Sequence, residues 1–181
     1  MRVILGLVLC LFSLPALAGA FSLSSPQVAN GTYVPNQQVY SGFGCTGGNT
    51  SPALSWLNPP AGTKSFAITV YDPDAPTGSG WWHWVIFNIP ATVTSLPAGA
   101  GNVDAQLAPA DAVQSRNDYG TTGYGGPCPP VGDTPHRYLF TVYALNVDKL
   151  PLTSDAMPEM VGYSIHQHML GSAQISALYG R

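Results

Sequence analysis

The chain predicts a mostly β domain, an antiparallel β-sandwich with one C-terminal helix. Three observations carry that reading. Segments rich in β-branched and aromatic residues are short, and 20 glycines and 17 prolines supply the turns between them. The segment 137–146 is apolar on both alternating faces, as expected of a central strand covered on both sides. Only one stretch, 157–170, holds a convincing helical period.

The elements follow in order. Residues 21–27 alternate weakly and open the sandwich as a strand, and Asn30-Gly31 is a turn signal. Short strands are expected over 38–43 and 51–56, the latter ending at the Asn58-Pro-Pro-Ala-Gly62 break. The densest β signal lies in 65–71 and 82–89, joined by a loop whose prolines, glycines and aspartates forbid a regular element. Side chains alternate faces in a strand, so Phe66, Ile68, Val70 and Asp72 share one side of the first. By the same rule His83, Val85 and Phe87 share one side of the second. Each apolar face then carries one ionisable residue at its loop end.

Residues 92–135 are long and irregular, rich in Gly and Pro. Inside a domain this size such a stretch reads as a binding loop. On the strand that follows, His136, Tyr138, Phe140 and Val142 form one face and Leu139, Thr141, Tyr143 and Leu145 the other. The helix has Pro158 in its first turn, where a missing N–H costs nothing. Its apolar stripe is expected from Met160, Tyr163, Ile165 or His166, and Met169 or Leu170, with Gly171 as the stop and a last strand over 173–179.

Residues 1–20 are set aside as a secretory signal peptide. Met1-Arg2 is a positive start, 3–14 are apolar, and small residues precede a cut after Ala18 or, preferred here, Ala20. The apolar run is too short for a membrane span, so the mature form is expected to carry no integral membrane segment. What remains, 21–181, is the size of a single domain, exported to the bacterial periplasm or secreted. Charged residues make up 8% of the chain and the formal net charge is −3, which excludes nucleic acid as a partner and leaves no basic patch for anionic membranes. Any phosphate bound must be held by local geometry. Of three cysteines, Cys10 falls in the leader; Cys45 and Cys128 remain and read as a disulfide. Its loop exceeds eighty residues, worth ~4–5 kcal/mol on the chain-entropy model. Metal or redox chemistry would call for a Cys-x-x-Cys spacing that is missing.

Four features can carry chemistry: Asp72-Pro-Asp-Ala-Pro76, Trp81-Trp-His83, Gly123-Tyr-Gly-Gly-Pro-Cys-Pro-Pro130 and His136-Arg-Tyr138. In the runs YDPDAPTGSGWWHW and TGYGGPCPPVGDTPHRYLFTVYAL the chain resembles the phosphatidylethanolamine-binding protein (PEBP) family, in its bacterial Raf-kinase-inhibitor-like branch of the YbhB/YbcL type. GFGCTGGNTSPALSW and VGYSIHQH extend the resemblance over nearly all of 21–181. It implies a large antiparallel sheet with a smaller sheet packed on it, and an anion pocket at one rim. Carried over, that pocket falls on Asp72, His83, His136 and the 125–130 segment with Gly125, Gly126 and Pro129. Pro73, Pro76 and Tyr138 would be its walls, and Trp81 or Trp82 would line its mouth, Trp82 being assigned to the site. Phosphate, sulfate, carboxylates and phosphoethanolamine are the ligands such pockets accept. Inhibition of kinases and proteases, and a homodimer, also come with the resemblance.

The residues make sense of an anion site from below. A neutral imidazole offers one N–H and a protonated one two, and Asp72 beside a histidine favours the protonated form. Backbone N–H groups of a Gly-rich turn can converge on an anion. Blander roles compete: Asp72 and Asp74 as turn caps, His83 and His136 as satisfied core histidines, the tryptophans as core. Arg137 points away from His136 and Tyr138 by alternation and is read as structural. His166 and His168, two apart on a helix, face different ways and cannot pair on a metal. The reading is thus a non-enzymatic binding protein for a small anion or phosphorylated ligand, with a protein partner as a further role. It calls for no cofactor, metal or catalytic residue. The alternatives are a hydrolase using Asp72 with His83 or His136, for which no G-x-S-x-G or H-E-x-x-H motif is present, and an inhibitor-like interaction module.

Overall fold

The two stretches with the strongest β signal pair with each other and build the middle of a five-stranded antiparallel sheet. The structure, a computed structural model, describes residues 19–181; the expected signal peptide therefore lies, but for its last two residues, outside the described residues. In chain order the strands are β1 (Ser22–Ser24), β2 (Ser41–Gly42), β3 (Cys45–Thr46), β4 (Leu54–Leu57) and β5 (Ser65–Asp72). There follow β6 (Trp81–Pro90), β7 (Ser95–Leu96), β8 (Val113–Gln114) and β9 (His136–Leu145). The helix α1 (Pro158–His168) runs directly into β10 (Met169–Tyr179).

The large sheet has the order β10-β9-β5-β6-β8; β1-β4-β7 form a second sheet and β2-β3 a two-stranded ribbon. The main core lies between the two larger sheets. Leu54, Trp56 and Leu96 of the small sheet meet Phe66, Ile68, Val70, Trp84, Phe140 and Val142 of the large one, all but fully buried. The Trp56 and Phe66 rings meet edge-on at 5.3 Å across the gap. A second apolar cluster covers the opposite face, where Ala67, Val85, Phe87 and Leu145 pack under Val161 and Ile165 of α1. The large sheet is therefore covered on both faces, which explains the two apolar faces of β9.

Three expectations change. The helical stripe that packs down is Pro158, Val161, Gly162 and Ile165, whereas Met160 and Tyr163 are exposed. Gly162 sits against the Trp82 ring, and the β-branched Val161 and Ile165, four apart, meet the sheet. The helix also ends at His168 instead of continuing to 170, because the chain joins β10 there and Asn146 N–H bonds the His168 carbonyl. In the segment 38–43 only Ser41–Gly42 lies in a strand, and Gln38 ends a 3₁₀ turn (Asn36–Gln38).

A further change concerns β6. Val70 pairs with Trp84 but Tyr71 pairs with Trp82, so His83 is an extra residue, a β-bulge. Strict alternation would leave His83 with Val85 and Phe87 on the helix side. The bulge instead brings it to the face of Trp84, beside Tyr138, with ring centroids 5.1 Å apart. A second bulge near Asn88, a residue with φ of 60°, returns Ile89 to the core between the sheets.

The long 92–135 stretch is irregular but pinned. It runs along the β6 edge through Ser115 N–H to Val85 O, Asp118 N–H to Trp82 O and Gly125 N–H to His83 O. The Asp118 carboxylate accepts from Trp82 N–H at 2.7 Å, and Cys128 is bridged to Cys45 with a Cα–Cα distance of 6.0 Å. Gly126 is required where the stretch crosses the 36–40 segment, because a Cβ there would collide with the Gln38 carbonyl.

Candidate functional site

At one end of the large sheet, where β5 stops and β9 begins, the bulge, the disulfide-bonded loop and residue 181 enclose a cavity of about 250 Å³. That is at or just below the small end of ligand pockets, roughly 300–1,000 Å³.

Asp72 is the last residue of β5. Its Oδ1 accepts the Asp74 N–H at 2.8 Å, the turn role that its residue type suggested. Its Oδ2 accepts from His136 Nδ1 at 2.7 Å, and both side chains are buried, at 2% and 3% exposure. The register makes this pair: Tyr71 opposes Leu139, so Asp72 and His136 lie just past the last paired residues on a common face. His136 Nε2 is 3.4 Å from the half-exposed Asp133 carboxylate.

His83 is held differently. Its Nδ1 lies 2.7 Å from Gly125 O and 3.1 Å from Gly126 O. Carbonyl oxygens only accept, so these partners assign the proton to Nδ1. Burial then lowers the pKa to about 4, against smaller opposing effects of the two carbonyls and the Asp72 charge. His83 is therefore a neutral Nδ1–H imidazole near pH 7, because at this histidine desolvation outweighs the Asp72 carboxylate. The Gly125–Gly126 turn is corrected. Its N–H groups are committed to His83 O and Asn49 Oδ1, so it offers carbonyls to a histidine and not amides to an anion.

Of the other residues expected at the site, Pro76, Pro129 and Tyr138 line the cavity and Pro73 does not. Trp82 is on the opposite face, against Tyr71 at 4.6 Å and the helix-side cluster; the lining tryptophan is its neighbour Trp81. The bulge at His83 decides between them, because Trp82 keeps the pairing with Tyr71 while Trp81 pairs with Asp72. Arg137 is turned away, clamping Asp74 through Nε at 2.9 Å and Nη2 at 2.7 Å, and this guanidinium lowers the Asp74 pKa to about 2.

Phe43, Tyr119 and Arg181 complete the wall and were not legible from the motifs. Tyr119 stacks on Tyr40 at 4.0 Å and donates to Gly126 O at 2.9 Å. Arg181 Nε donates to Pro129 O at 2.6 Å and Nη2 to Phe43 O at 3.1 Å. Arg116, Arg137 and Lys149 each pair with an aspartate. Arg181 is anchored by carbonyls beside the cavity, and among the described residues no Asp or Glu side chain pairs with it.

Three buried polar atoms on lining residues have no hydrogen-bond partner among the described residues: His83 Nε2, Tyr138 Oη and Trp81 Nε1. Burial, then the Asp72 charge and a weaker interaction of the hydroxyl with that carboxylate, push the Tyr138 pKa upward, so the hydroxyl keeps its proton; Asp72 is near the hydroxyl, but no hydrogen bond of good geometry joins them. The site thus holds donors, one imidazole acceptor, a buried carboxylate–imidazole pair and one guanidinium. Among the described residues no group of three or more His, Cys, Asp or Glu side chains is placed to hold a metal ion, and no helix is long and apolar enough to cross a membrane.

Known proteins share this architecture. The sequence model of the phosphatidylethanolamine-binding protein family matches residues 24–180. The YbcL protein of Escherichia coli is 51% identical over 176 residues, covering 97% of this chain and 96% of the relative. YbhB of the same organism is 48% identical over 157 residues, covering 87% and 98%. The crystal structure of E. coli YbcL, described as a new member of the mammalian PEBP family, superposes with a TM-score of 0.88 at 52% identity, covering 89% of this chain and 98% of that one. With the fold, the motif residues at one sheet end and these matches together, the chain belongs to the phosphatidylethanolamine-binding protein family.

Proposed function

We propose that this protein is an exported, non-enzymatic binding protein that captures a small anion or phosphorylated head group in the cavity at the end of β5 and β9. The observation that carries the reading is the set of buried polar atoms on Tyr138, Trp81 and His83 that find no partner among the described residues, beside the Arg181 charge. A buried polar group without a partner costs about 1–3 kcal/mol, and a small polar ligand would remove that cost. The cavity volume favours a head group over a whole lipid.

Capture without turnover is supported by the state of the candidate nucleophiles at the wall. Cys128 is in the disulfide, and the Thr77 hydroxyl donates to Gly80 O instead of to a histidine. Export is supported by the Cys45–Cys128 bridge and by the leader-like residues 1–20. Calorimetric titration with phosphoethanolamine tests the reading: saturable binding at micromolar to millimolar concentration is expected, and no heat at 10 mM ligand would contradict it. In a phosphoesterase screen with and without divalent metals no turnover is expected; turnover lost in His83→Ala would establish the hydrolase instead.

A further inference from the structure

The polarity of the unpartnered atoms narrows the ligand beyond "anion". We propose that the cavity selects an oxyanion that still carries a proton, such as the monoanion of a phosphate monoester, whose O–H is donated to His83 Nε2 while its other oxygens accept from Tyr138 and Trp81. This rests on the anion-capture reading and specifies which protonation state of the ligand it takes.

Two independent features point the same way. The first is the tautomer. With Nδ1–H tied to the Gly125 and Gly126 carbonyls, the only free nitrogen of His83 is an acceptor. His83 is 2% exposed, and a bare oxyanion against that lone pair would be repelled, whereas an O–H satisfies it. The second is charge. The titratable groups that line the cavity with His83 are Asp72 from β5, His136 and Tyr138 from β9, Tyr119 from the loop and Arg181 after β10, with Asp133 beside His136. Asp72 already engages His136, and Asp133 adds a second carboxylate, while Arg181 is the one arginine or lysine among the described residues that line the cavity. That balance suits one negative charge better than two. Burial reinforces it by keeping His83 itself unprotonated through the range where phosphate monoesters titrate.

The chemistry resembles the discrimination expected of any buried acceptor: a site that needs a donor rejects an isostere lacking one. The probes are methyl phosphate, which carries an O–H at pH 5.5, and two anions without one, dimethyl phosphate and sulfate. Binding is read from ¹⁵N and ¹H shifts of the disulfide-bonded protein, with the His83 ring nitrogens followed directly.

Methyl phosphate is expected to bind at least about tenfold more tightly than either control at pH 5.5. Its apparent affinity should fall about tenfold per pH unit above its second pKa of about 6. His83 should keep one protonated and one unprotonated nitrogen in the complex. Sulfate or dimethyl phosphate binding as tightly as methyl phosphate, or a doubly protonated His83 in the complex, would overturn this inference while leaving anion capture standing. Failure of all three anions to bind at 20 mM would overturn both.

Discussion

Asp72 and His136 meet across neighbouring strands with Oδ2 2.7 Å from Nδ1, both buried, while the other carboxylate oxygen holds the turn that follows β5. One side chain therefore ends a strand, shapes the next loop and orients an imidazole at the cavity. Asp72→Asn keeps the volume but replaces the charged acceptor of a buried pair. Loss of about 3 kcal/mol of stability is expected, by analogy with other buried pairs broken on one side. Urea denaturation at pH 7 checks it, and a change below about 0.5 kcal/mol would show that the pair is not holding the sheet end.

His83 gives a pH signature of known sign. Its folded-state pKa is lowered to about 4, whereas an unfolded histidine titrates near 6.5. The unfolded chain thus binds the extra proton first, and this group's contribution is fully present above pH 6.5 and lost as pH falls towards 4. Across that window the loss is on the order of 3 kcal/mol. In His83→Phe that part of the acid sensitivity should vanish. The His83 ring signals of the wild type should titrate below pH 5, and a midpoint near 6.5 would contradict the burial argument.

Gly126→Ala tests how the loop reaches His83. The new methyl would collide with the Gln38 carbonyl and the backbone around Tyr40, neither of which is a flexible side-chain end. The Gly126 carbonyl should move off His83 Nδ1, with a stability loss of roughly 1–3 kcal/mol and weaker anion binding. A wild-type melting temperature and an unchanged His83 Nδ1 resonance would refute the tight crossing.

The bridge between Cys45 and Cys128 spans 83 residues and ties the cavity wall to the β2–β3 ribbon. Intact mass should rise by about 2 Da on reduction, the mass of the two hydrogens the bridge takes up. On the chain-entropy model the reduced protein should lose up to ~4–5 kcal/mol of stability. Equal denaturation midpoints with and without reductant would remove the bridge from any stabilising role.

How much of this was legible in the residues varied with the physics involved. Alternation found β5, β6 and β9 because β-branched and aromatic side chains mark strands covered on both faces. It also led Arg137 away from the cavity correctly, since β9 is regular there. The same rule misplaced His83, because a single inserted residue in β6 reverses faces and leaves no mark in composition, and the motif alone did not separate Trp81 from Trp82. Helical periodicity alone points to Met160 and Tyr163 as the buried stripe, but both are exposed; the helix turns its smaller Val161 and Gly162 inward, with Gly162 close to Trp82. Arg181 stands beyond every motif, and only the fold carries it back to the Pro129 and Phe43 carbonyls.

The central proposal is that the two histidines face a captured anion. The most direct measurement is a titration of ¹⁵N-labelled protein with phosphoethanolamine at pH 6, following the ring signals of His83 and His136. Saturable shifts of both rings, with α1 resonances around Tyr163 unmoved, are the predicted result. No shift of either ring at 10 mM ligand would contradict it.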